Sequence, residues 1–312
     1  MPTRAHKTPL RRPTSARLHR PTPAPSPRFP YDAEGCHWLY RQEHVPSFYL
    51  EVTPETWARL QEDLGLAQQR LDADEDDTPY HPLTSFRYED VTFRRAQIRL
   101  RGNPDFWPGM GKMQFQVSFD EDDRDGHFLG LRKILFDSAT FNRSFLRDRL
   151  AYSIARESGI AAPCANNARV YVNGEYYGLF TNIEKIDEVF LWHRLRAPMG
   201  DLWKRAGWQL KTNKDLTDTV RQQVLVMADS YAALDAVFNI PINIRVLAYE
   251  ALLPAVDGAW AGGLNGYYYD DPHSGRFVEL PWDYDGAFTQ SDNKYLDPLR
   301  WKKTERYYGR PF

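Results

Sequence analysis

The sequence predicts an α+β fold in which strands dominate residues 31–186 and helices dominate residues 187–312. Three patterns lead there. Met113, Phe115, Val117 and Phe119 alternate with polar residues, the period of a half-buried strand. Residues 168–172 and 176–183 are extended runs flanking Asn173-Gly174, a strong hairpin signal of the type I′ turn. Ile244, Leu247, Ala248, Ala251 and Leu252 recur at i, i+3, i+4, i+7 and i+8, the period of a helix face.

Residues 1–30 are rich in Arg, Pro, Ser and Thr and lack Asp and Glu, which predicts a disordered basic arm. That composition also suits a transit peptide, and no apolar h-region of a secretory signal follows the early arginines. Folded sequence begins near Tyr31. Residues 47–52 read as a strand, and Thr53-Pro54-Glu55 opens a helix to Leu64, with Thr as N-cap, Pro at the first helical position and Gly65 as stop. The acidic stretch 66–78 reads as a surface loop. Extended pieces are expected at 84–88, 92–100 and 113–119. Residues 143–157 read as a helix with Leu146, Leu150 and Ile154 as its core stripe and Gly159 just past its end. After the hairpin come a linker, a helix at 220–234, and the helix through Leu252 ended by Pro254. Short strands at 267–269 and 276–280 close the series around a turn at 270–275. The tyrosines at 267–269 are expected to pack in the core.

The 312 residues allow one large domain or two lobes. A formal net charge of −2 lacks the basic excess of a general nucleic-acid binder. No apolar run approaches the roughly 20 residues of a membrane span. Cys36 and Cys164 are the only cysteines. They could form one bridge, but the preferred reading is two buried or free thiols. With no zinc-type spacing among Cys or His, no transition-metal site is expected.

The chemistry concentrates in Pro281-Trp282-Asp283-Tyr284-Asp285-Gly286, directly after a strand. Two carboxylates at i and i+2 suit Mg²⁺, which takes one or two carboxylates plus substrate phosphates. Upstream, Asp257 follows a buried helix and Asn265 follows a Gly-Gly loop. An acid able to orient or deprotonate a hydroxyl, then an Asn able to ligate metal, then an acidic motif after a hairpin, is the order of kinase catalytic lobes. Asp257 and Asn265 also sit in ordinary turn sequences.

Four segments resemble one family. Ile98-Arg99-Leu100-Arg101-Gly102-Asn103 is similar to an Arg-Gly-Asn signature, and Phe145-Leu146-Arg147-Asp148-Arg149-Leu150-Ala151-Tyr152 to the helix that follows it. Val172-Asn173-Gly174-Glu175-Tyr176-Tyr177-Gly178-Leu179 resembles a characteristic hairpin. Asn265-Gly266-Tyr267-Tyr268-Tyr269 with Leu280-Pro281-Trp282-Asp283-Tyr284-Asp285 resembles a closing block. In this order, over residues 46–290, they resemble the spore coat CotH kinase family.

The resemblance implies a two-lobed atypical protein-kinase-like fold, with a mixed or antiparallel sheet in an N-lobe at 31–186 and a helix-rich C-lobe at 187–312. Because the chain stops at Phe312, soon after the acidic motif, the C-lobe is expected to be short. It further implies ATP with Mg²⁺ or Mn²⁺ as cofactors, and phosphorylation of Ser or Thr in a coat or surface protein. Carried onto this chain, Asp257 is the candidate catalytic residue. Asn265 and Asp283 are the candidate metal ligands, with Asp285 in support. Lys112 is the candidate phosphate contact, Glu157 its ion-pair partner, and Glu184 begins the inter-lobe connection bordering the adenine. Residues 113–118 lack the lysines that related strands carry, and Gly109 and Gly111 are a weak substitute for a phosphate loop. An inactive binding scaffold, or an enzyme transferring AMP or an amino acid, are the alternatives. Acceptor, localisation and oligomeric state are left open.

Overall fold

The computed structural model describes residues 31–66, 78–102, 112–139, 142, 144–214, 219–255, 257–260, 263 and 265–288. The expected basic arm, most of the acidic loop at 66–78, Asn103, Gly109, Gly111 and the chain from residue 289 onward lie outside the described residues.

β1 (Ser47–Glu51) leads into α1 (Pro54–Gly65). Thr53 Oγ1 accepts from the Thr56 amide at 3.1 Å, and Pro54 takes a position where no backbone donor is required. Next come β2 (His81–Leu83), β3 (Ser85–Tyr88), β4 (Val91–Phe93), β5 (Ala96–Leu100), β6 (Phe115–Ser118) and β7 (Lys133–Asp137). The extended piece expected at 92–100 is thus two strands. β7 carries the continuous run Ile134-Leu135-Phe136 because it is covered on both faces, so it shows no alternation to read. β6 is likewise covered on both faces, although its sequence alternates. It was expected to be half-buried, but Gln116 and Ser118 are as inaccessible as Phe115 and Val117.

α2 (Arg147–Glu157), β8 (Ala165–Val172) and β9 (Glu175–Ile183) follow. Asn173 and Gly174 at the hairpin turn have φ of 50° and 84°, both positive as a type I′ turn requires. Then come α3 (Glu188–Leu195), β10 (Asp201–Lys204), β11 (Gln209–Leu210), α4 (Val220–Val226), α5 (Tyr231–Val237), α6 (Ile240–Leu252), β12 (Tyr267–Asp271) and β13 (Arg276–Leu280). The helix expected at 220–234 is two helices. Ser230 starts the second by accepting from the Ala233 amide at 3.3 Å.

The strands form two sheets, a nine-stranded one in the order β2-β5-β6-β7-β9-β8-β1-β3-β4 and a four-stranded one in the order β11-β10-β12-β13. β1 and β8 pair in parallel; the other pairings in the large sheet are antiparallel. One face of the large sheet carries an aromatic core in which Phe48, Phe86, Phe115, Phe136 and Phe180 meet α1 through Leu60. The other face carries Arg99, Gln116, Ser118, Lys133, Leu135 and Ile183, related by the strand register. Leu135 and Ile183 belong to a second core that joins α2, α3, α6 and the small sheet through Tyr152, Phe190, Val246, Tyr269 and Tyr284. Tyr267, Tyr268 and Tyr269 are buried.

Two expectations are corrected. Leu146, Leu150 and Ile154 are 44%, 50% and 38% exposed, while Asp148, Ala151, Tyr152 and Ala155 face inward. Small alanines let α2 approach its neighbours closely, and its inward polar groups find backbone partners, so apolar periodicity points to the wrong face. Cys36 and Cys164 form a disulfide, their Cα atoms 5.7 Å apart, and staple the segment before β1 to β8.

Candidate functional site

The acidic turn leaves β13 and passes under α2. Asp283 has φ of 67°, a left-handed conformation that Asp tolerates better than most residues. Side chains of α2 hold its backbone. The Asp283 amide donates to the Tyr152 hydroxyl at 3.0 Å and the Tyr284 amide to Asp148 Oδ1 at 3.1 Å. Arg147 Nη1 donates to the Asp285 carbonyl at 2.9 Å. These contacts use backbone groups of the turn and leave the Asp283 and Asp285 carboxylates to other work.

The loop after α6 brings Asp257 and Asn265 together. Asn265 Nδ2 donates to Asp257 Oδ2 at 2.9 Å, and the Asn265 amide donates to the Asp257 carbonyl at 3.2 Å. The side-chain bond turns the amide oxygen of Asn265 away from that carboxylate. From the large sheet, Arg101 Nη1 lies 2.5 Å from Asp137 Oδ2.

Electrostatics join these pieces into one cluster. Burial pushes Asp283 up to about 6, and the charges of Asp257 and Asp137 push the same way, against Arg101 and Lys204. Asp285 is pushed up to about 9 by burial, then by Asp283, Asp148, Asp137 and Asp257. Asp148 is pushed up to about 8 by burial, then by Asp137 and Asp283. Each carboxyl thus resists ionising beside the others. Among the described residues, no group of three or more His, Cys, Asp or Glu is gathered as a ready-made metal cluster.

Of the residues singled out in the sequence, Asp257, Asn265, Asp283 and Asp285 come together here. Lys112, Glu157 and Glu184 are engaged elsewhere. Lys112 Nζ donates to the Leu179 carbonyl and lies 4.2 Å from the centroid of the Phe180 ring. Partial burial pulls its ammonium down to about 8, opposed by Asp137. Glu157 is exposed at the end of α2, where Ser153 Oγ donates to it at 3.4 Å. The expected ion pair between Lys112 and Glu157 is not formed, because Lys112 turns toward β9 while Glu157 lies at the far end of the helix. Glu184 is buried, and its Oε2 accepts from the Cys164 amide at 2.9 Å and from Arg194 Nη2 at 2.7 Å, beside the disulfide.

Sequence reasoning assigned no site role to Asp137, Asp148, Lys204, Tyr284 and Glu250. Asp148 and Tyr284 lay inside quoted motifs, and Arg101 opened one. Their spacing of i and i+4 on one helix was the available sign that Asp148 and Tyr152 share a face. Nothing local marked Asp137 or Lys204, which end strands that the sequence reading passed over.

The family model described as CotH kinase protein matches residues 98–310. The chain is also similar to Inner spore coat protein H of Bacillus subtilis (strain 168), 23% identical over 278 residues, covering 80% of this chain and 71% of the relative.

Proposed function

Because the chain belongs to the CotH kinase family, we propose that it is an ATP- and divalent-metal-dependent phosphotransferase acting on Ser or Thr hydroxyls of a protein. The observation that carries this reading is the hydrogen bond joining Asn265 to Asp257 beside the acidic turn at Asp283. In this reading the large sheet belongs to an N-lobe, the small sheet with α3 to α6 forms a C-lobe, and the reaction occurs between them.

Asp257 orients the acceptor hydroxyl and takes its proton. Asn265 and Asp283 would hold Mg²⁺ or Mn²⁺, with Asp285 in support. The donor set fits a hard cation. Its atoms are oxygens, and the carboxyls repel one another in a way that a bound cation relieves. One or two protein carboxylates are enough for Mg²⁺ when phosphates complete its shell. When bound, metal and ATP would supply the phosphoryl group and neutralise its charge. Arg101 and Lys204, whose charges oppose the upward push on Asp283, would be the phosphate contacts in this reading. The Bacillus relative is itself named for the inner spore coat, and a coat or surface protein is the acceptor proposed here.

A second reading, an inactive scaffold, draws on one observation: Lys112 is committed to Leu179 and Phe180 and does not meet Glu157. Intact mass after incubation with ATP and Mn²⁺ tests the reaction type. A phosphoryl increment supports the proposal, an adenylyl increment replaces it with AMP transfer, and absence of nucleotide binding favours the scaffold.

A further inference from the structure

Side chains outside the candidate catalytic set tie the acidic turn to the loop that carries Asp257. Tyr284 is the junction. Its amide donates to Asp148 Oδ1 of α2, and its hydroxyl donates to Glu250 Oε1 of α6 at 2.8 Å. Glu250 Oε2 accepts from the Trp260 amide at 2.7 Å. A Cβ added to Gly258 would fall 2.7 Å from Glu250 Cδ, so the loop closes directly onto that carboxylate, one residue after Asp257. Tyr284 is fully buried, with its ring edge-on to Tyr152 and Tyr249 at 5.5 Å each.

This arrangement is poorly explained by stability alone. Asp148 is 1% exposed, and its second carboxyl oxygen is buried without a hydrogen-bond partner. Burying a carboxyl group with one oxygen unsatisfied disfavours folding relative to an apolar residue of similar size. Asp283 likewise holds a left-handed backbone that an unconstrained turn would relax. Both costs fall where α2 meets the turn that carries Asp283.

We propose that the chain of contacts Asp148–Tyr284–Glu250 positions Asp283 against Asp257, so that the carboxylate holding metal and the carboxylate orienting the hydroxyl keep a fixed separation; the proposal rests on the phosphotransferase reading above. Tyr284, Asp148 and Glu250 are positioning residues. They act through the backbone of the turn and the loop and touch neither nucleotide nor acceptor.

The test uses the full chain, with autophosphorylation from Mn²⁺-ATP as one readout and Mn²⁺ affinity, titrated by paramagnetic resonance without turnover, as the other. Tyr284→Phe keeps the ring and the backbone bond to Asp148 and removes only the hydroxyl. The expected result is a rate at saturating ATP reduced at least about tenfold, a KM for ATP within about threefold of wild type, and a higher Mn²⁺ requirement. Asp148→Asn keeps an acceptor for the Tyr284 amide and should stay within about threefold of the wild-type rate, whereas Asp148→Ala should fall about tenfold. The Asp148 pair decides the matter if Tyr284→Phe does not fold. Wild-type rate and Mn²⁺ requirement in Tyr284→Phe, or equal losses in the two Asp148 variants, would overturn the inference while leaving the phosphotransferase reading intact. A wild type that neither binds Mn²⁺-ATP nor transfers phosphate overturns that reading, and the inference with it.

Discussion

Arg101 Nη1 lies 2.5 Å from Asp137 Oδ2, joining the residue after β5 to the last residue of β7 at the edge of the acidic cluster. The two side chains are only 11% and 13% exposed. Removing one partner of a buried pair typically costs about 3–5 kcal/mol, because the other charge is left uncompensated. Arg101→Met is therefore expected to lower the unfolding free energy by about 3 kcal/mol in a denaturant titration, with part of the loss recovered by adding Asp137→Asn. A loss below about 0.5 kcal/mol would mean that the pair is solvated and energetically idle.

The raised Asp148 carboxyl makes stability depend on pH with a definite sign. Its value rises from an ordinary 3.8 to about 8, chiefly through burial, so the folded state keeps a proton that the unfolded chain has released. The stabilising contribution is complete below the lower value and is lost as pH rises through the higher one. Asn at this position does not titrate. Thermal unfolding without divalent cations should therefore show Asp148→Asn gaining on wild type as pH rises from about 4 to about 8, and no further gain above that. A gap independent of pH would show that Asp148 ionises freely in the fold.

Leu150 separates what apolar periodicity reads from what packing does. Leu146, Leu150 and Ile154 look like a core stripe, yet Leu150 is 50% exposed and the neighbouring Ala151 is fully buried. Leu150→Glu should change stability by no more than about 0.5 kcal/mol, whereas Ala151→Leu should cost about 1–3 kcal/mol through overpacking. Circular dichroism melts of the two variants check this directly, and a reversed ranking would put the stripe back in the core.

The same contrast explains how much was legible. The α1 cap, the Asn173-Gly174 hairpin and the alternation in β6 are local patterns, and they place those elements correctly. β7 was missed because a strand covered on both faces has no alternation. The inward face of α2 was misread because it is built from alanines and from Asp148 and Tyr152, whose partners lie 136 and 131 residues away. Of the candidate site, the order Asp257, Asn265, Asp283 stands in the sequence, and the structure joins Asn265 to Asp257 by a hydrogen bond. Asp137, Glu250 and Lys204 were not legible there, since each acquires its meaning only through a contact or field across the fold.

The disulfide offers a test of the N-terminal staple. Cys36 and Cys164 are separated by 128 residues, so the bond closes a long loop in the unfolded chain. Reduction, or Cys36→Ser, is expected to lower stability by about 2–4 kcal/mol. Unfolding curves with and without reductant measure it, and coincident curves would show that the staple contributes nothing.

The metal-dependent phosphoryl transfer proposed for this chain turns on Asp283. The most direct measurement is transfer of label from γ-labelled ATP with Mg²⁺ or Mn²⁺, comparing wild type with Asp283→Ala after confirming that both are folded. The account predicts label on the wild type and a loss of at least about a hundredfold in the variant. Equal labelling of both proteins would contradict the role of Asp283, and an unlabelled wild type that also fails to bind nucleotide would contradict the enzyme itself.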